Sequence, residues 1–233
     1  MNNQRWNKLL ESMKEDGLTG MVLVPGPNLF YMTGIRMGLS ERPSLCAIEA
    51  GGRATFLMPG FEMVKGEKTA AALLDKGVEM EFCTESYSDE EGPGPVFSRV
   101  FEGKGGAWGL EYMAARMLEY SLMKSAMGDF VFADAGSTMK RLRMTKDESE
   151  IQSMEAACSL CDLGVDVARR LLTTGKRASD VVTEVERRLK ERGAESVRYG
   201  GSPCGSIQDS GIRRRDRLDR LVRFCQRVLG RYH

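Results

Sequence analysis

Residues 20–24, Gly-Met-Val-Leu-Val, form an unbroken apolar run that is stopped by Pro25-Gly26-Pro27. Nothing in that triplet can continue a sheet, since proline offers no ladder N–H, so the run reads as a short buried strand with a forced exit. Helical and strand patterns alternate around it. Upstream, Trp6, Leu9, Leu10 and Met13 stand at helical spacing, and Gly17 comes next where a helix C-cap wants it. Downstream, 44–50, the Gly51-Gly52 turn and 54–59 read as a hairpin. Residues 61–76 read as a helix with Met63, Ala70, Leu73 and Leu74 inward and Gly77 as its stop. The spacing then predicts a half-exposed strand at 78–82, a polar surface loop at 86–95, a strand at 107–111, a helix at 112–127 and a strand at 129–135. This alternation implies an α/β layer with a mostly parallel or mixed sheet.

A boundary is expected near 143–146. Thr145 and Glu148 have capping-box spacing. Ile151, Met154, Cys158, Cys161, Val165, Ala168 and Leu172 then recur every three or four residues, the pattern of one long helix. A second amphipathic helix is expected over 179–192, with Val182, Val185 and Leu189 on one side and Gly193 at its end. Glu184 with Arg188 and Glu186 with Lys190 give it favourable exposed pairs four residues apart. Cys158 and Cys161 lie on the apolar face of the long helix and read as small core residues, since no second pair at zinc spacing accompanies them.

Composition narrows the function. The chain has 233 residues, 42% hydrophobic and 29% charged, and no apolar stretch approaches the roughly 18 residues of a membrane span. The N-terminal stretch has no apolar core of a secretory signal, so a cytoplasmic protein with six reduced cysteines is expected. The single histidine is His233, the last residue, which disfavours any mechanism built on an internal imidazole. From 197 onward there are nine arginines and three aspartates with no lysine or glutamate, giving a tail of +6 after 196 residues of −5. No nucleic-acid reading module accompanies this charge, so neither nucleic acid nor membrane is an expected partner. The Gly-Pro stretch at 92–95 lacks the lysine-serine pair of a phosphate loop.

Three stretches together resemble the creatinase/prolidase/aminopeptidase P family. In GMVLVPGPNLFYMTG, Asn28, Tyr31, Thr33 and Gly34 match the family's Asn-x-x-Tyr-x-Thr-Gly turn after a strand and prolines. ADAGSTMKRLRMTKDESEIQSMEAA at 133–157 is similar to its interdomain passage, where an aspartate-bearing strand end leads through Arg-Leu-Arg to a helix start. The helix pair, with Gly175 and VERRLKERGAES at 185–196, is like the opening of its catalytic domain.

The resemblance implies an α/β fold: a creatinase/prolidase N-terminal domain over 1–143, a mixed sheet flanked by helices, followed by an incomplete pita-bread α+β domain over 144–196 and an Arg-rich tail over 197–233. The parent activity is Xaa-Pro aminopeptidase or prolidase chemistry, in which two divalent ions (Mn, Co or Zn) held by two aspartates, a histidine and two glutamates activate a bridging hydroxide. Those ligands lie downstream of the segment matched here, and Asp209, Asp216 and Asp219 sit among arginines. No catalytic, cofactor-binding or metal-ligating residue is therefore assigned, and the chain alone is expected to be inactive. The tail is expected to be an out-of-frame or truncated product. Asn28, Tyr31 and Gly34 are the candidate substrate-rim residues, in a homodimer whose N-terminal domain borders a neighbouring subunit's site. On the structural reading of the same residues, Asn28 caps the short helix after the strand, Tyr31 packs on the sheet and Asp134 caps the segment after its own strand. The alternatives are a non-catalytic dimerisation or interaction module, or a creatinase-like or lyase relative.

Overall fold

The computed structural model describes residues 2–171 and 177–197. The chain divides into two compact units, Met1–Thr145 and Lys146–His233. The first holds α1 (Asn2–Glu15), β1 (Gly20–Leu23), α2 (Pro27–Thr33), β2 (Leu45–Glu49), β3 (Arg53–Pro59), a 3-10 turn (Gly60–Glu62), α3 (Met63–Asp75), β4 (Glu81–Tyr87), α4 (Pro93–Phe101), β5 (Gly106–Leu110), α5 (Met117–Ala126), β6 (Phe130–Asp134) and α6 (Gly136–Met144). The second holds α7 (Glu148–Leu171) and α8 (Ala178–Glu191).

The six strands form one mixed sheet in the order β4-β3-β2-β1-β5-β6. Only β2 runs against its neighbours; β3 with β4, β1 with β5 and β5 with β6 pair in parallel. Five strands therefore end at the same edge of the sheet. The apolar run at 20–24 is continuous because both sheet faces are covered. Met21 and Leu23 join Trp6, Leu9 and Met13 of α1, Leu29 and Met32 of α2, Leu73 of α3 and Met139 of α6. Val22 and Val24 join Val96, Phe97 and Phe101 of α4, Met123 of α5, and Trp108. Gly20 lies opposite Trp108 in the β1–β5 ladder, and a Cβ at Gly20 would stand 2.5 Å from the indole. The strand can lie under that ring only without a side chain there.

Several elements depart from the sequence expectation for local reasons. Residues 93–101, expected to begin in a loop, form α4: Gly92 takes φ 70 and Pro93 occupies the first helical position, where its missing N–H costs nothing. The strand expected at 78–82 runs instead over Glu81–Tyr87, because its position is set by the parallel ladder from Arg53↔Glu81 to Pro59↔Tyr87. Val78 and Met80 are buried in the approach to it. The helix expected from 112 begins at Met117, since Ala114 and Ala115 donate to the Glu111 carbonyl and hold a turn. The Arg-Leu-Arg connector is helical, as α6. Its first residue, Gly136, donates its N–H to Asp134 Oδ1 at 2.9 Å, while the N-cap itself is Ala135, so Asp134 meets a free donor of the helix start from one residue before the cap position.

In the second unit the capping box is Asp147 with Glu150, in place of Thr145 with Glu148: the Asp147 N–H reaches Glu150 Oε2 and the Glu150 N–H reaches Asp147 Oδ1, each at 3.0 Å. The expected seam of α7 is met only in its C-terminal half, where Ala168 is buried and Cys161 and Val165 are half-buried; Leu172 lies outside the described residues. Leu160, Leu163, Val167, Ala168 and Leu171 pack against Val181, Val185 and Leu189 of α8, while Ile151, Met154 and Cys158 are exposed. Cys158 is thus not a core residue; the face α8 covers is the one carrying Gly164, where a Cβ would stand 3.5 Å from Leu189, an ordinary contact distance. Val181, one position before the expected Val182, begins the buried stripe of α8. Its exposed face pairs Glu184 with Arg187 and Arg188, and Arg187 with Glu191. The tail from 198, and with it the out-of-frame reading, lies outside the described residues.

Candidate functional site

The exit from β1 builds the site. Pro25 and Pro27 forbid further ladder bonds, and Pro27 starts α2 at once. This helix ends after two turns at Gly34, whose φ of 80 is left-handed and whose N–H donates to the Phe30 carbonyl at 2.7 Å. Gly34 is thereby a helix stop with no side chain to offer. The two remaining candidates lie on α2, one turn apart, and both take part in one polar network.

Asn28 does not cap α2. The N-cap is Gly26, with no side-chain bond, and Asn28 lies one residue inside the helix. Its Nδ2 donates to Glu111 Oε1 at 2.7 Å, and its Oδ1 accepts from the Arg143 guanidinium at 2.7 Å. Glu111 Oε2 accepts the Val24 N–H at 2.9 Å, so both carboxylate oxygens have a donor. Glu111 is 7% exposed and comes directly after β5. Burial pushes its pKa up, opposed by the bonds from Val24 and Asn28 and by the charge of Arg143. Tyr31 is half-buried against the α1 side of the core, with the Arg5 guanidinium 3.9 Å and that of Arg143 5.5 Å from its ring centre. Arg5 also donates to the Tyr31 carbonyl at 2.7 Å. Such cation–π stacking contributes about 0.5–1 kcal/mol at an exposed site.

Topology explains why the network stands here. β1 and β5 are adjacent and parallel, yet α2 follows β1 on one face and α5 follows β5 on the other. Their carboxyl ends therefore diverge around a crevice, the usual ligand position of an open α/β sheet. Glu111 and Asn28 fill the crevice with mutually satisfied groups, so its chemistry is that of a brace fixing α2, β5 and α6 together. Elsewhere on the same edge a cleft of about 180 Å3 is lined by Arg36, Met37, Ser40, Ser44, Phe61 and Lys65. Glu111 and Arg143 escaped the sequence reading. The available signal was an acid closing the apolar strand AWGLE, a residue type that is rarely buried without partners.

Among the described residues no three His, Cys, Asp or Glu side chains gather as a metal-holding group. The buried carboxylate has N–H donors on both oxygens, and the donor set does not fit a pair of divalent ions.

The family model for the Creatinase/Prolidase N-terminal domain matches residues 5–145. The chain belongs to the creatinase/prolidase family. It is 26% identical over 192 residues to the putative dipeptidase YkvY of Bacillus subtilis, covering 80% of this chain and 50% of that protein. With the Xaa-Pro dipeptidase of Pyrococcus horikoshii it shares 25% identity over 223 residues, 92% of this chain and 58% of that one. The crystal structure of the dipeptidase PepE from Mycobacterium ulcerans superposes with a TM-score of 0.66 at 22% identity, covering 84% of this chain and 51% of that chain. The chain thus spans about half the length of the curated relatives it matches. The mixed sheet flanked by helices is the creatinase N-terminal fold.

Proposed function

We propose that this chain corresponds to the N-terminal domain and the first catalytic-domain helices of a dipeptidase- or prolidase-type metallopeptidase, and that alone it does not hydrolyse peptides. The family match over 5–145 and relatives that are dipeptidases support the first part. One observation carries the second: the buried acid at the carboxyl edge, Glu111, is committed to Val24 and Asn28, and among the described residues no three His, Cys, Asp or Glu side chains gather to hold a metal. In this reading residues 144–196 open a pita-bread domain, and the complete enzyme is a cytoplasmic homodimer using Mn, Co or Zn. The α2 turn then serves as a rim. The Glu111–Asn28–Arg143 brace sets the position of Tyr31, whose edge meets a peptide bound by the neighbouring subunit.

The test is an Xaa-Pro dipeptide assay on the purified chain with Mn2+, Co2+ or Zn2+. Proline release should stay at the level of a blank without protein. Metal-dependent turnover abolished by a chelator would overturn the inactive reading. A second reading, a non-catalytic association module, is favoured by the open sheet edge at β6. A stable dimer without turnover supports it.

A further inference from the structure

We propose that the cleft where β3 runs into α3 binds the carboxylate of one small aliphatic acid, either a free amino acid or the corresponding simple carboxylic acid. The inference does not rest on any peptidase reading, and the cleft is separate from the Glu111 brace.

The fold leaves this gap for local reasons. β2 and β3 pair as far as Leu45↔Leu57. Ser44 precedes β2, while β3 ends at Pro59 and passes through the 3-10 turn into α3. Residues 35–43, which form neither helix nor strand, supply the rest of the wall through Arg36, Met37 and Ser40. The enclosed space is about 180 Å3, below the roughly 300–1,000 Å3 of pockets that take drug-sized ligands. Its occupant is therefore about the size of a single amino acid.

Two independent features of the wall call for an anion. Ser44 is 4% exposed, and among the described residues its hydroxyl has no hydrogen-bond partner. A buried hydroxyl without a bond is destabilising, and an acceptor atom in the cleft relieves it. The second feature is the start of α3, a helix of 13 residues with no side-chain cap bond and no acid in its first turn. Its N-terminal end carries partial positive charge.

The full charges agree. Glu62, the acid in the lining, is neutralised by its ion pair with Lys65. Arg42 lies 5.6 Å from the Phe61 ring centre, but Asp89 and Glu41 meet its charge. Arg36 also lines the cleft, with its guanidinium 4.7 Å from the Phe30 ring centre. Arg36 and Lys65 against Glu62 leave the lining with one net positive charge. Stacking uses the face of a guanidinium, whereas its five donors lie in the plane and suit a carboxylate. Met37, Pro59 and Phe61 make the wall apolar, and Phe61 is 70% exposed. One carboxylate thus accepts from Ser44 Oγ and Arg36 while its aliphatic body covers Phe61.

Amide chemical shifts of the isotope-labelled full chain test this, with L-leucine, isocaproate and isoamylamine as probes. Saturable shifts at Ser44, Phe61 and Lys65 are expected with millimolar leucine or isocaproate. Isoamylamine, which keeps the aliphatic body and lacks the carboxylate, should give none. A response to leucine alone assigns the site to amino acids, to isocaproate alone to simple acids, and to both shows that the carboxylate suffices; each upholds the proposal. Ser44→Ala should weaken binding about tenfold with no loss of melting temperature, since its hydroxyl has no bond to lose. Arg36→Gln should weaken binding by about as much. Equal shifts from isoamylamine, no saturable shift from either acid, or undiminished binding in both variants would overturn the proposal.

Discussion

Glu111 is a carboxylate at the end of an apolar strand, and nearly all of its behaviour comes from being out of water. Its raised pKa means that the native chain holds a proton at pH values where the unfolded chain has released it. Stability contributed by this group is therefore present at low pH and falls as pH rises from the ordinary glutamate value of 4.5 through the raised native value. Glu111→Gln should remove that step from a plot of melting temperature against pH; an unaltered plot would show that the side chain is not the titrating group. Asn28→Ala strips a partner from both Glu111 and Arg143. The expected loss is about 1–3 kcal/mol, the cost of a buried polar group left without its bond, read from urea unfolding. Asp16 acts in the opposite direction. Bonds from Thr138 and Arg141 hold its pKa below the ordinary value and tie the end of α1 to α6.

At the scale of elements, the sequence located β1 and the β2–β3 hairpin closely because each is bounded by residues with a local mechanism: Pro25-Gly26-Pro27 and Gly51-Gly52. It misplaced β4 and the start of α5, whose limits are set by partners distant in the chain. β4 takes its register from β3, and the turn before α5 is held by Glu111. On α7 the expected spacing is buried or half-buried only from Cys161 to Ala168, where α8 packs, and residues 151–159 are exposed all round. Gly20 shows how tight the element contacts are. Gly20→Ala drives a methyl into the Trp108 indole, which is itself 1% exposed, and should cost about 1–3 kcal/mol as overpacking. Thermal unfolding gives the check, and Gly17→Ala is no control because its φ of 67 is strained in its own right.

For the whole molecule, each of the two units has its own apolar cluster. Among the described residues, the clusters of the first unit hold large aromatic side chains, whereas that of the second is four small or medium buried residues with partly buried neighbours. Burial contributes in proportion to apolar area, so the second unit should open first. Limited proteolysis should accumulate a fragment ending near Thr145, identified by mass; equal resistance on both sides of 145 would refute this.

The family likeness, the alternation of strands and helices, and the position of the α2 turn came from the sequence alone, because prolines, glycines and apolar spacing act within a few residues of themselves. Which acid would be buried, what Asn28 would hold, and which sheet edge would stay open were settled only by the tertiary structure. Glu111 and Asn28 are 83 residues apart, and Arg143 lies 115 from Asn28. No local rule reaches that far. Their meeting depends on β1 and β5 becoming neighbours and sending their helices to opposite faces of the sheet.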